Sequence, residues 1–315
     1  MRIPGYIIYG GMQLNMTVFD TVSSLLPKGL VHANEPMSRH TSFKIGGPAE
    51  VYVTPENTRQ LTEIWQACLH AGYPITVLGG GCNVLVADEG IKGVVIATSR
   101  MCHIETNAPY ITAGSGTRLA RLAETACKAG LSGLEFAHGI PGTVGGAVFM
   151  NAGAYGYNIQ DVCESVEVLK LDGTIESYPR QELGFSYRTS RFQGENEIIT
   201  GATFKLTPGN PEVIRAKINE LNSRRREKQP LCYPSAGSTF KRPAQEGFYA
   251  SKMIDECGLK GLSVGDAQVS EKHAGFIVNK GNATAADVLA LMESVQEKVH
   301  KAYGIWLEPE VQIIN

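Results

Sequence analysis

Apolar and polar positions follow two different periods along this chain, and together they predict an α+β protein. The clearest helical stretch begins at Asn57, which is suited to cap a helix, and ends at Gly72, which is suited to terminate one. One face of this stretch carries its apolar residues: Leu61, Ile64, Trp65, Cys68 and Leu69. Such a stripe predicts a helix that packs on a sheet.

Three further stretches have helical spacing. The inward positions that the spacing predicts are Leu119, Leu122, Ala123 and Ala126; Ile214, Ile218 and Leu221 after Pro211; and Val288, Leu291, Met292, Val295 and Val299 between Thr284 and Gly304. Strand patterns occur at 49–53, 75–78, 166–171, 174–178, 198–206 and 307–314. Asp172 and Gly173 separate two of these runs and predict a hairpin.

Length and charge restrict the possible classes of protein. A chain of 315 residues exceeds what one core normally supports, so we expect two or three lobes. The formal charge of −2 provides no basic field, which argues against nucleic acid and anionic membranes as partners and favours a small molecule. The seven cysteines are scattered and form no Cys-x-x-Cys pair, which indicates a reducing cytoplasm and no metal site.

The first 16 residues carry no recognisable targeting signal. Their apolar patch is short and is followed by no small-residue cleavage site, so residues 1–16 are predicted to be a disordered leader without a function. We also find no run that is long and apolar enough to span a bilayer.

Two glycine-rich stretches are the strongest candidates for a ligand site. His138 to Gly156 contains six glycines, and Gly79-Gly80-Gly81 follows a predicted strand. Glycine lets a ligand lie directly on peptide N–H groups, as a phosphate or a flat ring does. Structural bulges and corners are an equally good interpretation of the longer stretch by itself. No Gly-x-x-x-x-Gly-Lys-Ser/Thr occurs, so a triphosphate-binding loop is excluded.

Five motifs, taken in order, resemble one family. They are Gly79-Gly80-Gly81-Cys82-Asn83, Ile140-Pro141-Gly142-Thr143-Val144-Gly145-Gly146-Ala147, Tyr187-Arg188, Pro234-Ser235-Ala236-Gly237-Ser238-Thr239-Phe240 and Leu307-Glu308-Pro309-Glu310-Val311. Their order and separations are similar to those of UDP-N-acetylenolpyruvoylglucosamine reductases. The chain resembles the shorter subclass, because no substrate-covering insertion follows Tyr187.

The resemblance implies a fold and a domain organisation. The implied fold class is α+β, with an FAD-binding domain of the vanillyl-alcohol oxidase / p-cresol methylhydroxylase type in two lobes and a smaller α+β substrate domain. On the sequence we place the lobes at 17–98 and 99–208 and the substrate domain at 209–315, with the C-terminal strand returning Glu310 to the active site.

The resemblance also implies an activity and its residues. The family reduces an enolpyruvyl ether on a UDP-sugar, with non-covalent FAD and with NADPH as hydride donor. Arg188, Glu310 and Ser238 match catalytic positions, Ser238 being the proton donor. The cofactor contacts would be Gly79, Gly80, Gly81, Cys82, Asn83, Ile140, Pro141, Gly142, Thr143, Gly145, Gly146 and Ala147. The substrate contacts would be Tyr187, Lys241, Arg242, Lys260 and His273.

Three positions depart from the family pattern. Cys82 stands where serine is usual, Cys232 where an acidic residue is common, and Gln312 where arginine is common. A thiol fills the space of a hydroxyl but is a weaker hydrogen-bond donor, so flavin affinity could differ. The alternative is a covalent bond between Cys82 and the flavin. We consider it improbable, because the family that the chain resembles holds its flavin without a covalent bond.

Each candidate also has an ordinary interpretation. Arg188 could pair with Glu182 at the surface, Ser238 could cap a loop, and Glu310 could lie on an edge strand beside Pro309. Two other functions keep part of the pattern: another oxidoreductase of the same flavin fold, and a nucleotide-sugar binding protein without catalysis. The former would not need Ser238 and Glu310, and the latter would not need a flavin.

Overall fold

The computed structural model describes residues 17–315, so the predicted leader lies outside the described residues. The α-helices are α1 (Val18–Ser23), α2 (Thr58–Ala71), α3 (Leu119–Lys128), α4 (Val144–Phe149), α5 (Pro211–Lys228), α6 (Ala250–Glu256) and α7 (Ala285–Tyr303). Short 3-10 helices cover Met37–Arg39, Thr98–Arg100, Glu135–Ala137, Ile159–Asp161, Arg180–Glu182 and Arg191–Gln193.

The strands form several separate sheets. In chain order they are β1 (Val31–Pro36), β2 (Pro48–Val53), β3 (Ile75–Leu78), β4 (Val84–Val86), β5 (Ile91–Ala97), β6 (Ile104–Asn107), β7 (Tyr110–Gly114), β8 (Leu131–Ser132), β9 (Gly153–Ala154), β10 (Tyr157–Asn158), β11 (Cys163–Leu169), β12 (Ile175–Pro179), β13 (Ile198–Lys205), β14 (Thr207–Pro208), β15 (Ser263–Val264), β16 (Ala267–Val269), β17 (Ile277–Asn279) and β18 (Gln312–Ile314). The helices and strands confirm the mixed α and β composition.

The first sheet has the strand order β1-β2-β5-β3, with β5 parallel to both β2 and β3. The amide N–H of Gln60 donates to the side chain of Asn57 at the start of α2, and Gly72 ends the helix with φ of 70°. The predicted inward residues of α2 are buried, except that Leu69 is 39 % exposed. That part of the prediction is wrong because Leu69 lies at the edge of the apolar stripe, and its neighbour Cys68 is the residue of this turn that packs in the core.

The second sheet is antiparallel, with the order β12-β11-β13-β7-β6. The predicted hairpin joins β11 to β12, and Gly173 in its turn has φ of 85°. One large core covers this sheet and includes the inward faces of α3 and α4. Leu221 of α5 also belongs to that core, while Ile214 and Ile218 pack with Cys127 of α3. These burials confirm the predicted faces of both helices.

The C-terminal region packs α6 and α7 around the small sheet β15-β16-β17. Thr284 and Asp287 form a reciprocal capping box at the start of α7, and Gly304 ends the helix in the left-handed conformation. All five predicted inward residues of α7 are buried. The core of this region also contains Phe43, Ile45 and Leu85, so it packs directly on residues that flank the first sheet.

The last strand is shorter than predicted. The pattern predicts a strand over 307–314, but only Gln312–Ile314 forms one, as β18 parallel to β4. Pro309 has no N–H to donate, and Lys241 N–H instead donates to Glu308 O while Glu310 N–H donates to Thr239 O, both at 2.8 Å. The segment 308–310 is thus held against 239–241, next to the site described below.

Candidate active site

The two glycine-rich loops lie against each other. The first, Gly79–Asn83, connects β3 to β4, and the second contains Gly142 and leads into α4. A Cβ atom added to Gly80 would lie 3.0 Å from the Cα of Gly142, and one added to Gly79 would lie 2.8 Å from Thr143 Oγ1. Side chains at these positions would therefore separate the loops. The two glycine-rich loops thus lie together in the structure, although about 60 residues separate them in the sequence.

Thr143 gives this junction an unsatisfied polar group. Its side chain is 4 % exposed, and its Oγ1 has no hydrogen-bond partner among the described residues. It occupies the N-cap position of α4 without capping the helix. A buried hydroxyl normally has a partner, so this one, beside Gly79, fits a ligand with oxygen atoms that lies on bare backbone. The junction suits FAD, whose diphosphate and ribityl chain provide such oxygen atoms.

The remaining residues predicted to contact the cofactor divide into two groups. Pro141 and Gly146 are exposed, and Gly142 is half-buried with φ of 133°. Gly145 and Ala147 are buried, and the N–H of Gly145 donates to Ser115 O at 2.8 Å. Ile140 packs on the core of the second sheet. Gly145, Ala147 and Ile140 therefore hold the loop on the protein core, whereas Pro141, Gly142 and Gly146 remain accessible.

Cys82 lies within the loop junction. Its thiol donates to Gly80 O at 3.1 Å, and a Cβ on Gly80 would lie 3.4 Å from its sulfur. Burial raises the pKa of the Cys82 thiol, while Ser42 and Arg118 lower it to a smaller extent. The neutral thiol forms the local hydrogen bond that a serine hydroxyl would form, which favours simple replacement over a covalent role.

Arg188 and Glu310 form an ion pair although 122 residues separate them. Nε of Arg188 donates to Oε1 of Glu310 at 2.6 Å, and the two side chains are 19 % and 11 % exposed. Arg188 has φ of 56°, and the side chain of Gln193 donates to its carbonyl at 2.9 Å. This contact excludes the alternative in which Arg188 pairs with Glu182 at the surface.

Burial acts against the negative charge of Glu310. Loss of water raises the pKa of its carboxyl group, and Arg188 opposes that rise through its charge and its hydrogen bond. Glu308 is different, because its side chain is 76 % exposed and pairs with Lys241 at 3.5 Å. The turn at Pro309 therefore directs the two glutamates into different surroundings. Only Glu310 lies in a protected position.

Ser238 lies one residue from the backbone partner of Glu310. Gly237 has φ of 82°, Ser238 forms a bridge with Phe276, and Thr239 O accepts the N–H of Glu310 at 2.8 Å. On the other side, Nδ2 of Asn83 donates to Glu310 O at 3.0 Å. One short segment thus links the triple-glycine loop, the acidic residue and the serine.

The five residues predicted to contact the substrate are not equally placed. The hydroxyl of Tyr187 accepts the N–H of Arg242 at 3.2 Å, and its ring lies under the guanidinium of Arg188 at 5.2 Å. Lys241 lies near enough to Glu310 to lower its pKa slightly. These three residues therefore border the Arg188–Glu310 pair.

His273 and Lys260 are farther along the same surface. The ring of His273 contacts Phe276, the bridge partner of Ser238, at 5.0 Å between centroids. Burial lowers the pKa of His273, and Lys260 lowers it further. Lys260 itself pairs with Asp255 at 2.7 Å. Neither residue contacts the Arg188–Glu310 pair directly.

Two contributors were missed in the sequence. Asn151 has φ of 41°, is 2 % exposed, and donates through Nδ2 to Ser186 O at 2.8 Å. Ser42 donates to Ser235 O at 2.7 Å and so connects the N-terminal region to the Ser238 loop. The glycine-rich surroundings of Asn151 were a usable signal, since asparagine tolerates positive φ. Nothing in the local pattern identifies Ser42.

Comparison with known proteins supports an FAD-binding domain and a reductase family. A model described as an FAD binding domain matches residues 49–178, and one for the C-terminal domain of UDP-N-acetylenolpyruvoylglucosamine reductase matches residues 229–314. The fold and the site define an FAD-containing oxidoreductase, as the sequence predicted. The chain is 50 % identical to the reductase of that name from Agathobacter rectalis over 96 % of this chain and 99 % of the relative. The chain belongs to the UDP-N-acetylenolpyruvoylglucosamine reductase family.

Two further relatives support the same assignment. The reductase of Caldanaerobacter subterraneus subsp. tengcongensis is 48 % identical, with 94 % of this chain and 97 % of the relative covered. The crystal structure of the reductase from Thermus caldophilus is 39 % identical, covers 89 % of this chain and 97 % of that one, and gives a TM-score of 0.76. No helix within residues 17–315 has the length and apolar content needed to cross a membrane.

Proposed function

We propose that this chain reduces the enolpyruvyl ether of UDP-N-acetylglucosamine enolpyruvate to UDP-N-acetylmuramate in the cytoplasm, as a step of peptidoglycan precursor synthesis, with NADPH as hydride donor. The observation that carries the proposal is the buried Arg188–Glu310 pair, which is tied to the Ser238 segment and to the glycine loops. FAD, when bound between those loops, supplies the hydride chemistry.

Arg188 is the group that we assign to the substrate carboxylate. Its guanidinium stays charged and can bind both oxygens of a carboxylate, and the ring of Tyr187 supports it from one side. Its Nη2 lies 3.4 Å from Gly153 O, so the backbone also orients it. Addition of hydride at the methylene carbon leaves negative charge on the adjacent carbon and its carboxylate, which Arg188 stabilises.

Glu310 and Ser238 complete the assignment. A neutral Glu310 donates a hydrogen bond to the developing negative charge, and burial favours that neutral form. Ser238 then gives its proton to the carbanion carbon. A hydroxyl is a weak acid, so the basicity of the carbanion must drive this transfer.

We assign the other residues on the same basis. Tyr187, Lys241 and Arg242 border the pair and would contact the UDP-sugar, with Lys260 and His273 farther along the surface. We keep the division into residues 17–98, 99–208 and 209–315 as a proposal. Leu221 of α5, which belongs to the third of these units, packs on the core of the second unit. Nucleic acid and membranes are not expected as partners.

Steady-state assays test this function directly. Without oxygen, purified protein loaded with FAD should oxidise NADPH beyond the amount that reduces its own flavin only when the enolpyruvyl UDP-sugar is present, and the product should carry two additional hydrogens by mass spectrometry. NADPH oxidation that ignores this substrate would favour another oxidoreductase of the same fold. Protein that binds UDP-sugars but never takes up FAD would indicate a binding protein.

A further inference from the structure

Arg188 lies in a tight turn, at a position that usually takes glycine. Ser186 and Thr189 form a bridge in which the N–H of each donates to the carbonyl oxygen of the other, at 3.1 and 3.2 Å. Tyr187 and Arg188 are therefore the central residues of the turn. Arg188, the second of them, has φ of 56°, a left-handed conformation that is unfavourable for arginine and favourable for glycine or asparagine. Such a backbone persists only where its surroundings hold it.

A buried amide holds the first residue of this turn. Nδ2 of Asn151 donates to Ser186 O at 2.8 Å and to Gln160 Oε1 at 2.9 Å, and Oδ1 of Asn151 accepts the N–H of Gln160 at 3.0 Å. Asn151 is 2 % exposed. Because the N–H of Gln160 requires an oxygen in front of it, the amide of Asn151 has one orientation, with its nitrogen toward the turn.

The other end of the turn has a weaker support. Nε2 of Gln193 donates to Arg188 O and to Phe149 O, at 2.9 Å in both cases. Gln193 is exposed, so water can take the place of its amide at little cost. Asn151 is buried, and water does not reach its amide in the same way. The conformation of the turn therefore depends more on Asn151 than on Gln193.

Asn151 also links Arg188 to the glycine-rich loops. It comes directly after the last residue that caps α4, and α4 begins next to Thr143 at the loop junction. Two residues beyond Asn151, Gly153 O accepts from Nη2 of Arg188 at 3.4 Å. One short stretch of chain, 144–153, thus connects the loop junction to both the backbone turn and the guanidinium of Arg188.

We infer that Asn151 is a positioning residue for the reduction, an inference that rests on the proposed function and deepens it. Through Ser186 O it holds Arg188 in the left-handed conformation, which keeps Nε on Glu310 and leaves other guanidinium N–H groups for the substrate carboxylate. An arginine released from this turn relaxes toward negative φ, and its side chain moves away from Glu310. Asn151 acts through Arg188, and a displacement of about 1 Å at such a group costs about 100-fold in rate.

Two substitutions of Asn151 and one matched control test the inference on FAD-loaded protein. Asn151→Gly removes the amide and keeps positive φ accessible, and Asn151→Asp keeps the size but replaces the donor by an oxygen that repels Ser186 O. Gln160→Met removes the other acceptor of Asn151 Nδ2, while the bond to Ser186 and the backbone N–H at position 160 remain.

Anaerobic stopped-flow absorbance measures the effect of these substitutions. Both Asn151 variants should slow the reoxidation of reduced flavin by the enolpyruvyl UDP-sugar by about 10- to 100-fold. Gln160→Met should stay within about threefold of wild type, and the FAD affinity of all three variants should be unchanged. If Asn151→Gly does not fold, Asn151→Asp decides the question.

Two further readouts separate positioning from a structural role. Combined with Arg188→Lys, Asn151→Gly should slow reoxidation no further than Arg188→Lys alone, because the fork that Asn151 positions is absent. In NMR spectra of isotopically labelled protein, the Nε–H of Arg188 is identified by its loss in Arg188→Lys. This proton should exchange slowly with water in wild type and in Gln160→Met, and rapidly in both Asn151 variants.

The inference is overturned by wild-type reoxidation in the Asn151 variants, by an equal loss in Gln160→Met, by an additive loss with Arg188→Lys, by a loss of FAD affinity, or by exchange of the Arg188 Nε–H that does not depend on Asn151. A different outcome concerns the proposed activity alone. It would be contradicted by a wild type in which Asn151 protects the Arg188 Nε–H but the UDP-sugar does not reoxidise the flavin.

Discussion

Substitutions of Glu310 separate its charge from its hydrogen bond. Glu310→Gln keeps an oxygen that can accept from Arg188 Nε, now 2.6 Å from Oε1, and keeps a donor for the substrate. Glu310→Ala removes both from a position where the carboxyl is 11 % exposed. Glu310→Asp shortens the side chain by one methylene, so the pair with Arg188 cannot keep this length without movement.

The expected magnitudes follow from these contacts. Loss of one donor to a developing negative charge lowers kcat by about 100- to 1,000-fold, so we expect that loss for Glu310→Ala and a similar one for Glu310→Asp. Glu310→Gln should stay within about tenfold of wild type, because the hydrogen bond remains. Glu310→Ala removes the hydrogen-bond partner of the half-buried Arg188 side chain, which costs about 1–3 kcal/mol of unfolding free energy.

The pH dependence of stability provides a second readout. If folding raises the pKa of a carboxyl group, the folded state binds the proton more tightly than the unfolded chain. The stability that this provides is complete at pH values below the pKa in the unfolded chain, and it is lost as the pH rises through the pKa in the folded state. The ordinary pKa of a glutamate side chain is 4.5, and burial raises the pKa of Glu310 above that value. Urea unfolding at increasing pH above 4.5 should therefore show wild type losing stability relative to Glu310→Gln.

Two results would refute this reasoning. In the first, Glu310→Gln would be as inactive as Glu310→Ala, which would mean that the negative charge is required. In the second, Glu308→Gln would abolish activity while Glu310→Ala turned over normally, which would move the role to Glu308. We expect Glu308→Gln to change little, because Glu308 is exposed and its ion pair among the described residues is with Lys241.

Three other substitutions test the remaining parts of the site. Ser238→Ala should leave the reduction of bound FAD by NADPH nearly intact and slow reoxidation by the UDP-sugar in stopped-flow absorbance; equal slowing of both would contradict the proton-donor role. Arg188→Lys keeps charge but loses the fork and should lower kcat at least tenfold; wild-type turnover would remove Arg188 from the site. Gly80→Ala places a Cβ 3.0 Å from Gly142 Cα and should weaken FAD binding in a fluorescence titration, whereas Gly194→Ala, with only one atom at 3.9 Å, should not; equal affinities would show that the loops can separate freely.

The sequence predicted correctly those structural features that depend on residues close together in the chain. The caps at Asn57 and Thr284, the stops at Gly72 and Gly304 and the buried face of α7 depend on residues within a few turns of each other. The C-terminal strand was predicted too long, because alternation continues through Pro309, while its actual partners, Thr239 and Lys241, are about 70 residues earlier.

The candidate site required knowledge of distant contacts. Neither Arg188 nor Glu310 has a local signal that favours the other, and Glu182 was an equally reasonable partner on spacing alone. The hydroxyl of Thr143, which has no hydrogen-bond partner within residues 17–315, becomes visible only when burial and partners are known. The family resemblance supplied the residue numbers, and the structure shows which of them lie together.

Anaerobic mixing of the FAD-loaded protein, first with NADPH and then with the enolpyruvyl UDP-sugar, tests the central claim most directly. NADPH should remove the visible absorbance of the oxidised flavin, and the enolpyruvyl UDP-sugar should restore it as UDP-N-acetylmuramate forms. UDP-N-acetylglucosamine, which lacks the enolpyruvyl group, should leave the flavin reduced. The account is contradicted if NADPH does not reduce the flavin, or if the reduced flavin persists after the enolpyruvyl substrate is added.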